Sequence, residues 1–407
     1  MRLLIGGSPC THWSIAQTKN RETEASGIGW ELFLNYRIAR GKYKPDYFLY
    51  ENNKSMSPAI RTQITAELGV EPVLINSALV SAQNRQRLYW VGKREPDGTY
   101  SQVPVEQPED RGILLRDILE TGICWREKGY ALTASSHSAT AEDMFARRQR
   151  NGVAEPIDAC CVAQRGRYIG EGGKVAQHFE ARTDGKTNTL TTVEKDNLVA
   201  EPVRIGTIEN DAKTPDHDSQ QYRVYSPDGK SVTLCGNGGG LGAKTDLYAT
   251  PIGGIDGKAG PVYEVRDGFI FIAIKGKRYP IKLRDGFYII RKLTVTECKR
   301  LQTVPEEYVF PVSNSQAYKM LGNGWTVDVI AHIMSHFEGL TEEPVEVLSM
   351  YDGMSCGHIA LDKLGAEITA YYATEIDKYA IQTTQHNFPK TIQLGDAFQV
   401  RGEGWTL

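Results

Sequence analysis

Hydrophobic and polar positions follow two different patterns along this chain. Near both ends, short apolar runs of strand length alternate with longer stretches in which apolar residues recur at helical spacing. The middle of the chain instead consists of short alternating runs rich in Gly, Thr and Asp. Strands that alternate with helices are typical of an α/β domain with a parallel sheet. We therefore predict an α/β part at residues 1–95, a β-rich part at 96–290 and a second α/β part at 291–407.

The first part predicts four strands and one amphipathic helix. Apolar spacing places the helix at Trp30–Ala39. The strand candidates are Leu3–Ile5, Tyr47–Tyr50, Asn76–Val80 and Leu88–Val91.

The middle part predicts short strands and hairpins. Arg-Asp-Gly and Lys-Gly turns within Val262–Ile290 indicate hairpins. Five glycines in Gly236–Gly242 indicate a turn or loop, and no helical pattern follows them as a phosphate loop would require. Three triplets resemble repeated strand elements, although β-propensity alone explains them equally well: Ala131–Thr133, Thr189–Thr191 and Val232–Leu234.

The last part returns to alternating helices and strands, so we expect both α/β parts to close into one sheet. Thr294 followed by Glu297 forms a capping box that predicts the start of a helix. The predicted helices are Thr294–Leu301, Thr326–Phe337 and Ile359–Leu364, the last closed by Gly365. The predicted strands are Val345–Met350, Ile368–Ala373 and Thr391–Leu394.

Composition narrows the class of protein without identifying it. The 407 residues are 40% hydrophobic and 24% charged, which is ordinary for a globular protein. A net charge of -3 does not indicate a polyanionic partner, although a local basic surface can still bind one. Seven cysteines favour a reducing compartment over a disulfide framework. The first apolar run is shorter than the roughly 7–15 residues of a signal peptide core, and no stretch approaches the ~18 apolar residues of a membrane span.

Two predicted strands end in residues suited to catalysis. Gly6-Gly7-Ser8-Pro9-Cys10 places a thiol after a buried strand, at the strand end where α/β folds place ligands. Taken alone, such a cysteine is more often simply buried. Glu51 follows the strand Tyr47–Tyr50 and is a candidate acid, although taken alone a glutamate at a strand end is more often simply solvated.

The segment Gln83-Asn84-Arg85-Gln86-Arg87 carries two arginines at alternate positions. In an extended chain these side chains point the same way, so together they are able to clamp a phosphate or a carboxylate. An exposed basic edge strand explains the pattern as well.

Acidic and glycine residues after the three C-terminal strands indicate a nucleotide-like ligand. The loop Tyr351–Gly357 permits close backbone approach, Glu375 and Asp377 suit ribose hydroxyls, and Asp396 suits an adenine amino group. The loop is not a GxGxxG motif and brings no Lys or Arg for a phosphate, which favours an adenosyl ligand without phosphates.

Together these segments resemble the DNA cytosine-5 methyltransferases, in detail the animal de novo type and the bacteriophage enzymes. Asn53 stands where the family's Glu-Asn-Val motif has valine, and Trp325 is the de novo-type variant of a late motif. The matching segments are Gly6–Cys10, Glu51-Asn52, Gln83 with Arg85 and Arg87, Arg291–Gln302, Gly322–Val327, Tyr351–Gly353, Glu375 and Asp396.

The resemblance implies a fold, a methyl donor and a substrate. The fold would be a Rossmann-like sheet formed from both chain ends, with the β-rich part inserted as a target-recognition domain. The donor would be S-adenosylmethionine and the substrate double-stranded DNA, with no metal, in a monomer of the bacterial or phage-infected cytoplasm. The implied catalytic residues are Cys10, Glu51, Arg85 and Arg87. The implied donor-binding residues are Tyr351, Asp352, Gly353, Met354, Ser355, Glu375, Ile376, Asp396, Ala397, Asn323 and Trp325. The implied DNA-binding residues are Ser8 and Gln83. Arg147 and Arg165 of the β-rich part are further candidate DNA contacts, although a solvated basic turn explains them about as well.

The order of these motifs departs from the family. The family usually runs from donor motifs to nucleophile motif, whereas this chain begins at the nucleophile motif and ends on the donor motifs. Joining Leu407 to Met1 restores the usual order, which indicates either a circular permutation or a rearranged chain.

Three other functions fit parts of the pattern. An RNA methyltransferase of the same fold would have a shorter recognition region, and a non-catalytic DNA-binding relative would be expected to lose the thiol or the glutamate. A free-nucleotide enzyme that forms a Cys–C6 adduct, like thymidylate synthase, would not need the β-rich region. The target sequence and the biological role, such as restriction protection, are not encoded in any recognisable motif.

Overall fold

We describe the protein from a computed structural model. Between residues 157 and 282 the structure describes strands only. The described residues are 1–14, 21–145, 150–156, 160–169, 174–182, 198–200, 204–207, 223–225, 262–266, 269–274, 277–280 and 283–407.

Strands and helices alternate in the N-terminal and C-terminal parts of the described chain, and strands fill the middle. The strands are β1 Arg2–Gly6, β2 Tyr47–Asn53, β3 Pro72–Asn76, β4 Gln83–Asn84, β5 Gln86–Arg94, β6 Tyr100–Gln102, β7 Gly129–Tyr130, β8 Gly152–Pro156, β9 Cys160–Ile169, β10 Lys174–Arg182, β11 Leu198–Ala200, β12 Arg204–Thr207, β13 Arg223–Tyr225, β14 Val262–Arg266, β15 Phe269–Ile274, β16 Lys277–Pro280, β17 Gly286–Lys292, β18 Val345–Met350, β19 Ile368–Thr374 and β20 Ile392–Gly395. The helices are α1 Gly27–Tyr43, α2 Pro58–Leu68, α3 Ala141–Phe145, α4 Val295–Leu301, α5 Asn314–Asn323, α6 Val327–Met334, α7 Cys356–Leu364 and α8 Lys378–Asn387.

The chain divides into two compact units. The first unit combines Met1–Glu120, Glu127–Ala139 and Leu293–Leu407, and the second combines Thr121–Arg126 with Thr140–Lys292. Within the parts of the chain that the structure describes, none of the helices has both the length and the apolar character that a bilayer crossing requires.

A mostly parallel sheet organises the first unit. Its strand order is β20-β19-β18-β1-β2-β5-β3, with β6 alongside β5. Neighbouring strands from β20 to β2 are parallel, whereas β5 runs antiparallel to both β2 and β3. The strand β1 lies between β18 and β2, so segments from both ends of the chain pair in one sheet. The predicted α/β class with a mostly parallel sheet is therefore confirmed.

The central strands form the core because they are apolar on both faces. Leu3, Leu4 and Ile5 have no exposed surface, as expected for a parallel strand covered on both sides. Helix α1 packs Phe33 and Tyr36 into the same core cluster as Leu4. Burial of each such side chain stabilises the fold by about 1.5–3 kcal/mol.

Two strand predictions in the first unit are wrong. In each case side chains form the hydrogen bonds to the main chain that a neighbouring strand would otherwise form. At Asn76–Val80 the strand ends at Asn76, whose side chain accepts a hydrogen bond from the Ala78 amide (3.1 Å) and begins a 3-10 turn at Ser77–Leu79. At Ala131–Thr133 the structure has no strand, because the main chain of Leu132 bonds to the side chains of Gln83 and Arg85.

The other predicted strands and helices of the first unit are present, with boundaries that differ by a few residues. Helices α2, α5 and α8 were not predicted. Thr294 caps α4 in the predicted capping box, and Gly365 closes α7 in a left-handed conformation.

The second unit contains antiparallel sheets. Strands β14 to β17 confirm the hairpins predicted at Val262–Ile290, and β8 joins them to give the order β16-β15-β14-β17-β8. Strands β9 to β11 form a second sheet, and β12 pairs with β13. The triplets Thr189–Thr191 and Val232–Leu234 and the glycine-rich Gly236–Gly242 lie outside the described residues.

Candidate active site

Most of the predicted site residues follow strands whose carboxyl ends meet at one edge of the central sheet. Because β1, β2, β18, β19 and β20 are parallel, the segments that follow them start at the same edge. Hydrogen bonds tie two of these segments together: the Asp352 amide donates to the Thr374 carbonyl (3.0 Å) and the Tyr351 amide donates to Thr374 Oγ1 (3.0 Å).

The segment after β1 passes too close to its neighbours for any side chain at two positions. A Cβ on Gly6 would lie 2.7 Å from the Met350 carbonyl oxygen. A Cβ on Gly7 would lie 2.9 Å from both the main-chain oxygen and Oε2 of Glu51. Gly6 therefore allows close contact with the end of β18, and Gly7 allows the segment that leads to Cys10 to lie directly against Glu51 of β2.

Side chains from β2 hold this segment in place. Ser8 Oγ lies 2.6 Å from the Tyr50 hydroxyl, and Asn52 Nδ2 donates to the Ser8 carbonyl oxygen (3.1 Å). Ser8 was predicted to contact DNA. In the structure its side chain is buried and hydrogen-bonded to Tyr50. Burial raises the pKa of Tyr50, whose hydroxyl therefore stays protonated. Tyr50 was not predicted, although strand alternation places it on the same face as Asn52.

Cys10 begins the 3-10 turn Cys10–His12 that follows the segment. The backbone of Cys10 is described, whereas its side chain lies outside the described part of the structure. The role of the Cys10 thiol therefore stays a prediction.

The Glu51 carboxylate is held by donors from two other elements. Arg87 Nε lies 3.1 Å from Glu51 Oε1, and Trp325 Nε1 donates to Glu51 Oε2 (2.9 Å). The Arg87 and Glu51 side chains are 18% and 12% exposed, so the pair is only partly screened by water. The carboxylate thus faces Gly7 in a fixed orientation.

Gln83 and Arg85 bind protein groups. The Arg85 guanidinium donates to the carbonyls of Leu132 (3.0 Å), Gly322 (3.3 Å) and Gly324 (2.8 Å). Gln83 has no exposed surface and donates to the Leu301 carbonyl (2.6 Å). Arg85 and Arg87 therefore contact different partners, and the expectation that they point at one ligand is not met.

The loop after β18 has an uncommon backbone. Tyr351, Gly353 and Ser355 have φ values of 60°, 59° and 57°, in the left-handed region. A non-glycine residue pays roughly 1–2 kcal/mol for this conformation. Hydrogen bonds compensate: the Tyr351 hydroxyl donates to the Leu32 carbonyl (2.7 Å), and Ser355 Oγ donates to Asp352 Oδ2.

Two ionisable groups in and next to this loop are perturbed by burial. Burial raises the pKa of Asp352, although hydrogen bonds from Ser349, Ser355 and Tyr371 oppose the shift. Tyr371 donates to Asp352 Oδ1 at 2.9 Å. Burial also raises the pKa of Cys356 to about 12, so this neighbouring thiol stays protonated and unreactive near neutral pH.

The segments after β19 and β20 place two carboxylates at the same edge. Glu375 accepts hydrogen bonds from the Gly353 amide (2.9 Å) and from the Ile376 amide (2.7 Å). Ile376 is 74% exposed, an unusual position for a large apolar side chain beside a polar loop. Asp396 is exposed and caps the turn that begins at the buried Ala397.

A loop between α5 and α6 lies against this edge. Asn323 is exposed and Trp325 is half-buried. A Cβ on Gly324 would lie 3.2 Å from Cys356 Sγ and 3.5 Å from Met354 Sδ, so the loop touches the segment after β18. Of the predicted DNA contacts, Arg147 lies outside the described residues, and Arg165 lies on β9 with its side chain outside them.

Comparison with known proteins decides the family. The sequence model of the C-5 cytosine-specific DNA methylases matches residues 1–228 and 257–338. The chain belongs to this family. Members of the C-5 cytosine-specific DNA methylase family act on cytosine in DNA, so the sheet edge described above is the candidate active site of a DNA methyltransferase.

Individual relatives support the assignment. The orphan methyltransferase M.Rho11sI of Bacillus phage rho11s is 25% identical over 81% of this chain and 83% of its own length. The orphan methyltransferase M.SPRI of Bacillus phage SPR is 25% identical, with 81% of each chain covered. The type II methyltransferase M.HhaI of Haemophilus parahaemolyticus is 27% identical over 37% of this chain and 33% of its own.

Proposed function

We propose that this methylase transfers a methyl group from S-adenosylmethionine to C5 of a cytosine flipped out of double-stranded DNA. The observation that carries the proposal is the fixed carboxylate of Glu51. It lies against Gly7, three residues before Cys10, and is held by Arg87 and Trp325 at the sheet edge where the 351–355 loop also begins. An acid, a nucleophile segment and a donor loop thus share one end of the sheet.

The proposed chemistry begins at Cys10. Cytosine C5 is a weak nucleophile until a thiolate adds to C6 and turns the ring into an enamine. The Cys10 sulfur forms the bond to C6, and the displaced electron pair moves toward N3, where Glu51 in its acid form donates a proton. A bound donor would supply the methyl group to C5 and leave as the neutral thioether S-adenosylhomocysteine. Removal of the C5 proton by a base then restores the C5–C6 double bond and expels the Cys10 thiolate, and N3 returns its proton to the Glu51 carboxylate.

The two arginines have different proposed roles. Arg87 holds Glu51 and the target cytosine, and Arg85 supports the protein structure around the site. Arg87 reaches the Glu51 carboxylate, so it is placed to hold that group and a cytosine carbonyl beside it. Arg85 is buried and donates to three main-chain carbonyls, so it acts on the reaction by holding the end of α5 and the loop 324–326 that follows it.

The donor-site residues fit an adenosyl group with a sulfonium centre. The exposed side chain of Ile376 offers an apolar face for adenine next to the ribose candidate Glu375. The adenine candidate Asp396 follows the adjacent strand β20. Glu375 already accepts backbone N–H groups, and a carboxylate has further lone pairs for ribose hydroxyls. Tyr351 to Ser355, with Asn323 and Trp325, would line the rest of the site. The bound donor supplies an electrophilic methyl group.

The target cytosine must leave the stack for C6 to be reached. We propose that the β-rich part at 96–290 reads the neighbouring bases, with Arg147 and Arg165 among its DNA contacts. Phosphate contacts would supply affinity, and a few side chains would supply the choice of sequence.

We also propose that the chain is a circular permutation of the usual family order. The donor strands β18 to β20 come last in the chain, yet β18 pairs directly with β1. The family match ends at residue 338, immediately before this group of strands. The order of the strands in space is thus compatible with the usual fold, while their order in the chain differs.

Bisulfite sequencing of DNA from cells that express the protein tests the proposed function. Wild-type protein should protect cytosines in a defined sequence context from conversion. Cys10→Ser should abolish protection while DNA binding is kept. Glu51→Gln should lower the methylation rate by about 10²–10⁴-fold, because the group loses its proton-donating form.

Two results would contradict this function. If all DNA cytosines are converted although soluble wild-type protein is present, the protein does not methylate DNA. Protected cytosines in the RNA of the same cells would then favour an RNA methyltransferase. Unchanged protection with Cys10→Ser would remove Cys10 from the mechanism.

A further inference from the structure

Trp325 connects two parts of the site that the sequence treats as separate. The resemblance to the family implies that Trp325 lines the donor site, yet its indole N–H donates to Glu51 Oε2 at 2.9 Å. The preceding residue, Gly324, lies against Cys356 and Met354 of the donor segment. Trp325 therefore contacts the candidate acid from a loop that also contacts the donor loop.

The hydrogen bond from the Trp325 indole restricts rotation of the Glu51 carboxylate about its terminal torsion. The terminal torsion of a glutamate is broad, so one partner alone does not define the plane of the carboxylate. Arg87 holds Oε1 and Trp325 holds Oε2, and the two bonds together fix the plane. Gly7 allows this arrangement, because a Cβ there would meet Oε2 at 2.9 Å.

The loop that carries Trp325 is itself rigidly held. The Gly324 carbonyl accepts hydrogen bonds from Arg85 Nη2 (2.8 Å) and from Gln302 Nε2 (3.1 Å). On the other side of Trp325, Thr326 Oγ1 bonds to Ser77 Oγ (2.8 Å) and to Gln302 Oε1 (2.9 Å). Both neighbours of Trp325 are thus tied to buried polar groups, so the fold itself sets the direction of the indole N–H.

We propose that Trp325 is a positioning residue for Glu51, acting through its indole N–H in addition to any contact with the methyl donor. This inference rests on the proposed function and assigns a role within the same site. Its consequence is that Trp325 contributes to addition of Cys10 at C6, a step that precedes methyl transfer and needs no donor.

Exchange of the cytosine C5 hydrogen with water isolates that step. Without the donor, Cys10 adds to C6 and C5 takes a proton from solvent. Loss of the original C5 hydrogen and expulsion of the thiolate then regenerate cytosine with a solvent proton. No oxidant or second substrate is needed. Release of tritium from DNA labelled at cytosine C5 measures the rate.

Trp325→Phe keeps an aromatic ring and removes the N–H. We expect donor-independent tritium release to fall about 10- to 100-fold, because a catalytic group that is displaced by about 1 Å loses on the order of 10²-fold in rate. In the complete reaction kcat should fall by a similar factor, with KM for S-adenosylmethionine little changed. Unchanged tritium release together with a raised donor KM would overturn the proposal and leave Trp325 as a donor contact only.

Trp90→Phe is the matched control. The Trp90 variant also loses an indole hydrogen bond, but in the wild type that bond goes to Thr65 Oγ1 (3.0 Å) and not to Glu51. This variant should lose stability in urea denaturation and keep its tritium release. An equal fall in release for both variants would attribute the effect to stability and contradict the proposal.

If wild-type protein neither methylates DNA nor releases tritium, the proposed function fails. If wild-type protein does both and Trp325→Phe matches it, the inference alone fails.

Discussion

At the scale of single residues, carboxylates at the same sheet edge differ in role because their surroundings differ. Glu51 is held by an arginine and an indole N–H, which suits it to contact a substrate. Asp352 is half-buried and accepts hydrogen bonds from the hydroxyls of Ser355 and Tyr371, where it shapes the loop after β18. Residue type and position after a strand do not distinguish these roles, whereas burial and partners do.

The raised pKa of Asp352 makes a prediction about stability and pH. Because burial raises this pKa above its unfolded value, the folded protein binds the proton more tightly. The stability from that proton is present at low pH and is lost as the pH rises through the folded-state pKa. Asp352→Asn does not titrate, so its stability relative to wild type should increase from pH 4 toward pH 8. Urea denaturation of both proteins across this range measures the difference. A difference that is constant, or that grows toward low pH, would contradict the assignment.

At the scale of elements, local signals define where the supporting helices begin. Thr294 Oγ1 accepts from the Glu297 amide (3.1 Å), and Glu297 Oε2 accepts from the Thr294 amide (2.8 Å). Glu297 also accepts from the Glu120 amide (3.0 Å), so the cap joins α4 to a segment of the first unit remote in sequence. The capping box was predictable, whereas the contact with residue 120 was not.

Thr294→Ala should destabilise the protein by about 1 kcal/mol, because the first turn of α4 loses its side-chain acceptor. Thr294→Ser keeps the hydroxyl and should remain close to wild type. Thermal or urea denaturation of the three proteins compares the free energy of unfolding. Equal stability of the alanine and serine variants would mean that the cap contributes nothing.

At the scale of the whole first unit, one buried network joins distant segments behind the site. Gln83 and Arg85 connect Leu132 to the ends of α4 and α5. The contact is close: a Cβ on Gly322 would lie 2.1 Å from the Thr133 carbonyl carbon. The position of the end of α5 and of the loop 324–326, and hence of Trp325, therefore depends on the chain near residue 132.

Two helical glycines should respond to alanine in opposite directions. In Gly322→Ala the new Cβ would clash with the main chain of Thr133. We therefore expect the free energy of unfolding to fall by about 1–3 kcal/mol, despite the better helix propensity of alanine. Gly41 lies in α1, and among the described residues no atom outside its own helix lies within 4 Å of its Cβ position. Gly41→Ala should gain roughly 0.5–1 kcal/mol. Urea denaturation distinguishes the two, and a stabilised Gly322→Ala would show that the 129–134 segment packs elsewhere.

The sequence by itself determined the features that local physics encodes. Apolar runs marked β1, β2 and β18 because a strand buried on both faces must be apolar, and Thr294 with Glu297 marked a helix start. The motifs also identified the family, which the comparison confirmed. Only the tertiary structure decided the partners of Arg85 and Trp325, whose hydrogen bonds span 237 and 274 residues of sequence. Which side chains meet over such separations depends on how the sheet and its loops pack, and local periodicity carries no information about that.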